Sequence, residues 1–287
     1  MNLSFVEYMS KSLIWVVAFV FAACSDYTES LIDDSERWSE MAEQEKSSSS
    51  EKISSGESSS SREHASSSDT DKSSSSVKSS SSVITYGLLH DARDGKSYKT
   101  VEIGSQTWMA ENLNYKYADR STISFCYNND SANCDTYGRL YTWSAAMDSV
   151  GIFSKTGKYC GYGSECTATG RVQGICPQGW HLPNDNEWQT LFDEVGGATV
   201  AGLKLKSVHR WKNDGNGEDN YGFSVLPAGA RNYLGKFVTA DKNAFFWSST
   251  VVSSEFASAW NFGNDSNDAG SVLYNSDFGF SVRCVKD

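Results

Sequence analysis

Apolar positions fall into three regimes along this 287-residue chain. From Ser12 to Ala23 they run together, from Ser25 to about Val83 they nearly vanish, and from Tyr86 onward they return with the periods of strands and helices. The last regime predicts the folded part. Asp94-Gly95 reads as a turn between Leu88-Leu89 and the alternating run Tyr98–Ile103, and Gly104-Ser105 turns the chain back into Gln106–Met109. Together these predict a small antiparallel meander. Gly138 to Met147 places Leu140, Trp143, Ala146 and Met147 on one helical stripe. A second helix is marked more fully. Asn184 stands as N-cap, Glu187 completes a capping box, Trp188, Leu191, Phe192 and Val195 recur at helical spacing, and Gly196-Gly197 ends it. Past Gly222, short strands alternate with turns at Phe223–Leu226, Phe245–Ser249, Ala257–Phe262, Ser271–Tyr274 and Phe280–Val285. The expected class is α+β.

The first regime is too short to cross a bilayer, which takes about 20 apolar residues. It ends in Phe21-Ala22-Ala23-Cys24, small residues before a cysteine, as in the cleavage box of a bacterial lipoprotein signal peptide. Residues 1–23 are then the signal, and Cys24 becomes the lipidated N-terminus and the membrane anchor. Phe21 stands where such boxes usually carry Leu, and Glu7 precedes the apolar core. A start at Met9 rather than Met1 would remove Glu7 and leave Met-Ser-Lys as the charged end. A plain secretory peptide and an uncleaved anchor are the competing readings. Ser25 follows the cysteine in place of the Asp that retains lipoproteins in the inner membrane, which points to the outer membrane, on its periplasmic or its outer side.

Residues 24–85 have almost nothing to bury. Serine blocks such as Ser47–Ser50 and Ser73–Ser76 alternate with charged residues, and such a chain cannot offset its ordering entropy. The expectation is a disordered linker, a coil of about 60 residues spanning on the order of 45 Å. Leu31 to Gln44 has the composition of one short helix. The linker carries 13 acidic and 6 basic side chains, against 22 and 18 in residues 86–287. Without a basic patch or a Lys/Arg run, nucleic acid is not an expected partner.

Residues 86–287 suffice for one domain with a core. They hold six of the seven cysteines, an even number once Cys24 is set aside, as three disulfides in an oxidising compartment require. Spacing suggests two local staples, Cys126–Cys134 and Cys160–Cys166, which leaves Cys176–Cys284 to close a long loop. Zinc is the rival reading. It lacks a C-x₂-C pair and a histidine at ligand spacing.

Two segments, Gly179-Trp180-His181-Leu182-Pro183 through Glu187-Trp188 and Gly279-Phe280-Ser281-Val282-Arg283-Cys284, resemble stretches of the formylglycine-generating enzyme fold. More closely, Gly104-Ser105-Gln106-Thr107-Trp108-Met109-Ala110-Glu111-Asn112-Leu113, Gly138–Trp143, Gly174–Pro177, Leu226–Arg231, Phe246–Thr250 and Ser281–Asp287 resemble the Fibrobacter succinogenes major paralogous domain family. The resemblance covers nearly all of 86–287. It implies a C-type-lectin-like α+β domain, disulfide-stapled, with short helices and twisted antiparallel strands. Lipoprotein signals and Ser-rich stalks are typical of that family.

The enzyme resemblance does not carry its chemistry across. Formylglycine-generating enzymes bind copper with a late, close pair of cysteines, whereas the comparable pair here, Cys160 and Cys166, precedes the helical motif. His181, inside a motif, reads as a packed or capping residue. The expectation is a non-catalytic recognition domain, for polysaccharide or an envelope protein, with an altered enzyme or a purely structural envelope protein as alternatives. Asp214, Asn216, Glu218, Asp219 and Asn220 crowd hard oxygen donors into one Gly-containing loop, which suits calcium. An EF-hand frame fails there, because Asp219 falls where Gly is needed. A polar loop built from Asx turns is the simpler reading. Trp211, beside that loop, and Trp260 are the expected surface platforms for sugar rings, with Tyr221 and Arg231 as further ligand contacts. Asn264 to Asp268 reads as a hairpin tip.

Overall fold

The computed structural model describes residues 83–117 and 124–287. The expected signal peptide, Cys24 and nearly all of the expected linker, including Leu31–Gln44, lie outside the described residues. Among those described, no helix is long and apolar enough to cross a membrane.

The meander forms as its pattern predicts. Strands β1 (Gly87–His90), β2 (Ser97–Ile103) and β3 (Gln106–Met109) pair antiparallel, with Leu89 opposite Tyr98 and Val101 opposite Trp108. After them come β4 (Ser124–Phe125), helix α1 (Ser131–Tyr137), β5 (Leu140–Tyr141) and the single-turn helix α2 (Trp143–Ala146). The continuous helix expected over Gly138–Met147 therefore splits. Leu140 and Tyr141 are taken by pairing with Phe125 and Ser124, and Thr142 then caps α2 by accepting the Ala145 N–H.

Strand β6 (Trp180–His181) leads into helix α3 (Asp185–Glu194), where both bonds of the capping box are present. Gly197, at φ +102°, turns directly into helix α4 (Ala198–Leu205), which the pattern does not announce. Gly202 in α4 is needed for contact, since a Cβ there would lie 2.3 Å from the Asp268 carbonyl oxygen. The strand expected at Phe223–Leu226 reduces to one bridge between Lys206 and Val225, because Ser224 sits at φ +55°.

Strands β7 (Ala230–Arg231) and β8 (Phe237–Val238) make a small ribbon. Then β9 (Asn243–Val251), β10 (Phe256–Gly263) and β11 (Gly270–Asn275) form a three-stranded antiparallel sheet in the order β11-β10-β9. Most of the stretch expected as a strand at Phe280–Val285 makes single bridges, from Phe280 to Tyr141 and from Ser281 to Phe246. Only β12 (Val285–Lys286) joins a sheet, which has the order β1-β2-β3-β12-β6. The molecule is thus mixed helix and sheet, mostly strands.

Successive residues of β9 face opposite sides of the strand. Phe245 and Trp247 enter one core cluster with Trp143, Trp180 and Phe280, while Ala244 and Phe246 enter a second with Trp108, Trp188, Phe192 and Phe262. Both faces are covered, so Ala244 to Trp247 reads as an unbroken apolar run rather than an alternation. The disulfides join Cys126–Cys134, Cys160–Cys166 and Cys176–Cys284, the pairs that spacing suggests. The last spans 108 residues and lies wholly within the first core.

Candidate functional site

Residues that carry the family resemblance are mostly interior. Trp143 donates its indole N–H to the Ser248 carbonyl at 2.9 Å, and Trp247 donates to the Tyr141 carbonyl at 2.7 Å. The Tyr141 hydroxyl donates in turn to the Tyr115 carbonyl. Buried His181 sits between two carboxylates, Glu187 Oε1 at 2.7 Å and Asp287 Oδ1 at 2.8 Å. Burial would raise the Glu187 carboxyl, but its bonds with His181 and the Asn184 N–H hold it below the usual range. Arg283 is buried as well. Its guanidinium donates to Asn112 Oδ1 at 2.8 Å and to the Phe223 and Ser224 carbonyls, and it stacks on Phe223 and Phe246. Burial brings it down to about 9, against the opposing pull of Asp219, Glu111 and Tyr86, so it stays charged at neutral pH.

Above this network lies a groove of about 430 Å³. The segment after β3 supplies Ala110, Glu111 and Asn112, the end of α1 supplies Asp135 to Gly138, and Ser224 and Leu226 come from the motif-bearing stretch beyond α4. Tyr86, Lys96, Lys99 and His209 add the other polar side chains that matter here. Hydrogen bonds fix its base: Asn112 donates to the Tyr137 carbonyl at 2.9 Å while accepting from Arg283. Gly138, at φ +73°, passes so close that a Cβ would fall 2.7 Å from the Asn112 Cβ. Glu111 Oε2 accepts the Lys99 N–H at 2.6 Å, and the Lys99 ammonium stands 5.4 Å from the centre of the Tyr86 ring, a residue 40% exposed. Donors on Lys96, Lys99 and His209 thus share one concave surface with acceptors on Glu111 and Asp135. Such a lining can orient a neutral, hydroxyl-rich ligand by hydrogen bonds.

The expected platforms do not line this groove. Trp211 is 5% exposed, donates its indole N–H to the Val225 carbonyl at 3.1 Å and packs in the second core. Trp260 is 7% exposed, donates to Asp185 Oδ1 and stacks edge-on against Phe192 at 4.8 Å. Both are corrected from surface to core: each ring fills the interior, and each N–H finds an acceptor there. Tyr221 packs half-buried against the same core, and the Arg231 guanidinium lies 4.0 Å from the centre of the Phe125 ring.

The acidic loop is engaged residue by residue. Asp219 accepts from the Ser224 N–H at 2.7 Å and from its hydroxyl, and burial raises its carboxyl. Asn216 Oδ1 accepts the Trp211 N–H at 3.1 Å, and Glu218 pairs with Lys204 at 2.8 Å. Asp214 is exposed, and the Asn220 N–H donates to the Lys204 carbonyl. Among the described residues, no group of three or more His, Cys, Asp or Glu side chains is arranged to hold a metal ion. Besides Lys204, a second cation of the protein adjoins this loop at Gly217. Buried Lys206 donates to the Gly263 and Ser266 carbonyls, both at 2.8 Å, and lies 5.0 Å from the centre of the Trp211 ring.

Residues 101–286 match the family described as the Fibrobacter succinogenes major domain, and the chain belongs to that family. No curated protein matches the chain, and no solved structure does.

Sequence reasoning did not single out Tyr86, Lys99 or His209, and it treated Glu111 only as part of a motif. The available signal is Glu111 itself, a charged residue set directly between the buried Met109-Ala110 and Asn112-Leu113 pairs. A carboxylate held there must reach solvent or a partner.

Proposed function

We propose that this protein is a lipid-anchored envelope protein whose folded part, C-type-lectin-like in architecture, recognises a polysaccharide without transforming it. Cys24 carries the anchor, and the serine-rich linker sets the domain off from the membrane, which the signal box and composition favour. The groove over Arg283 and Asn112 is the observation that carries the reading. Its base is fixed by motif residues, acceptors and donors share its lining, and an exposed tyrosine ring stands among them.

The test is thermal unfolding of the full chain against a panel of soluble polysaccharides. A ligand of the folded state alone raises the midpoint by mass action. The expected result is a rise with at least one polysaccharide that Glu111→Gln and Lys99→Ala abolish. The reading fails if every polysaccharide leaves the midpoint unmoved, or if both variants retain the full rise. Cys24→Ala is expected to release the protein from the membrane fraction.

A further inference from the structure

We propose that the segment from Asp148 to Cys166 builds a second binding site, a tyrosine-walled cleft that takes a pyranose ring of a glycan chain independently of the groove. The argument starts from how firmly this loop is held. Asp148 is fully buried; it accepts from the Tyr117 hydroxyl at 2.6 Å and from the backbone N–H groups of Ile152, Phe153 and Ser154 at 3.0, 2.7 and 2.9 Å. Further on, Gly157 presses against α2, where a Cβ would fall 1.8 Å from the Met147 carbonyl oxygen. Cys160 is buried in the first core and bonded to Cys166. The Tyr159 N–H donates to the Ser149 carbonyl and the Gly163 N–H to the Ser254 carbonyl, both at 2.8 Å.

The backbone is therefore pinned on both sides of Tyr159 and Tyr162, yet their side chains are 69% and 48% exposed. Flexible loops with exposed aromatics are ordinary; a tethered loop that turns two rings outward is a preorganised surface. Tyr159 is also held at φ +67°, the left-handed region that a residue with a Cβ occupies only when its surroundings enforce it. That conformation presents the ring to solvent, with the Lys158 ammonium 4.8 Å from its centre.

Both tyrosines line a cleft of about 650 Å³, with Ser144, Ser149, Lys158 and Asp277 also in its wall. This lining matches a sugar better than an apolar partner. A pyranose has a flat C–H face, which packs on an aromatic ring, and an equatorial rim of hydroxyls. A carboxylate accepts from two such hydroxyls, while serine and lysine donate to their oxygens. Burial raises the Asp277 carboxyl above its usual range, and hydroxyl donors would stabilise its ionised form.

Saturation-transfer NMR on the full chain tests this with a β-1,4-linked glucose hexamer, whose hydroxyls are all equatorial, and an α-1,4-linked hexamer for contrast. The expected result is transfer to pyranose C–H protons of at least one hexamer. Tyr159→Ala and Tyr162→Ala should each weaken affinity about tenfold, roughly 1.4 kcal/mol, with the melting temperature unchanged. Tyr159→Phe should keep most of the affinity, and Glu111→Gln should keep the cleft signal. Transfer lost in the tyrosine variants, alone or once Glu111→Gln has silenced the groove, supports the cleft, and transfer that survives Tyr159→Ala, Tyr162→Ala and Glu111→Gln combined overturns it. Transfer lost in Glu111→Gln alone overturns the cleft and leaves the groove reading standing. No transfer from either hexamer overturns the cleft, as does a protein partner lost in the tyrosine variants while neither hexamer binds.

Discussion

The tryptophans of the two cores and the tyrosines of the Asp148–Cys166 segment share a chemistry and meet opposite surroundings. Trp108, Trp143, Trp188 and Trp247 are wholly buried, and three of the four donate their indole N–H to an acceptor. Tyr159 and Tyr162 stand beside backbone bonds that tether their loop, but they are 69% and 48% exposed. Rigidity therefore does not separate the regions; the direction in which the rings face does. In the core, aromatic area stabilises the fold. On the loop, the same area is kept in reserve, and holding it outward forgoes that stabilisation.

The disulfides give the widest separation between the regions. Replacing Cys176 and Cys284 together by Ser opens a loop of 108 residues, which the chain-entropy account values at about 4–5 kcal/mol. The same change at Cys160 and Cys166, separated by 6 residues, should cost about 2 kcal/mol and abolish glycan contact at the cleft. Urea midpoints of the two double variants measure this. Equal losses would break the comparison. Next comes Arg283→Met, which leaves Asn112 Oδ1 and two carbonyls without their donor. A loss of about 3–4 kcal/mol is expected in the same measurement. Arg283→Lys should recover little of it, because one ammonium cannot reproduce the guanidinium fork.

Acid titration sharpens the contrast further. Burial works to raise the Asp91 carboxyl, but the paired bonds from Arg93 Nε and Nη2, at 2.8 and 2.7 Å, outweigh it and hold its pKa below the ordinary value. A lowered folded pKa contributes stability fully above the unfolded value, and that stability is lost as pH falls through the folded one. Glu187, bonded to His181, acts with the same sign. Asp277 at the cleft is raised and acts the other way, so protonating it favours the folded state. Melting temperatures measured from neutral pH down into the carboxylate range should therefore fall less steeply in Asp91→Asn than in the parent. They should fall more steeply in Asp277→Asn. The smallest expected effect is on the stability of Tyr159→Ala and Tyr162→Ala, within about 0.5 kcal/mol of the parent. A larger loss in either would mean that its ring belongs to the core after all.

Legibility in the sequence followed the range of the interactions. The Asn184–Glu187 capping box and the Asp94-Gly95 turn act within a few residues, and both elements form where the pattern puts them. Helix α1 escaped notice because only Cys134 and Tyr137 of its seven residues are buried, too few to make a stripe. Helix α4 was hidden by Gly202, whose purpose is contact with the Asn264–Asp268 turn on a distant hairpin. Trp211 and Trp260 misled for a related reason. Trp211 stands beside a polar loop in sequence, yet the acceptors of the two indole N–H groups lie 14 and 75 residues off. The groove was least legible of all, since its lining comes from segments as far apart as Tyr86 and Leu226. The cleft left a local trace, Tyr159-Cys160-Gly161-Tyr162-Gly163, since a loop that small has no interior of its own for aromatic rings.

The place of β12 bears on how the protein is made. Val285 pairs with Trp108 on one side and with His181 on the other, so this late strand lies inside the five-stranded sheet, and neighbouring Cys284 closes the longest disulfide. A chain synthesised N-terminus first cannot seal this sheet until residue 286 has emerged from the ribosome, so its last residues complete the structure that its first strands began.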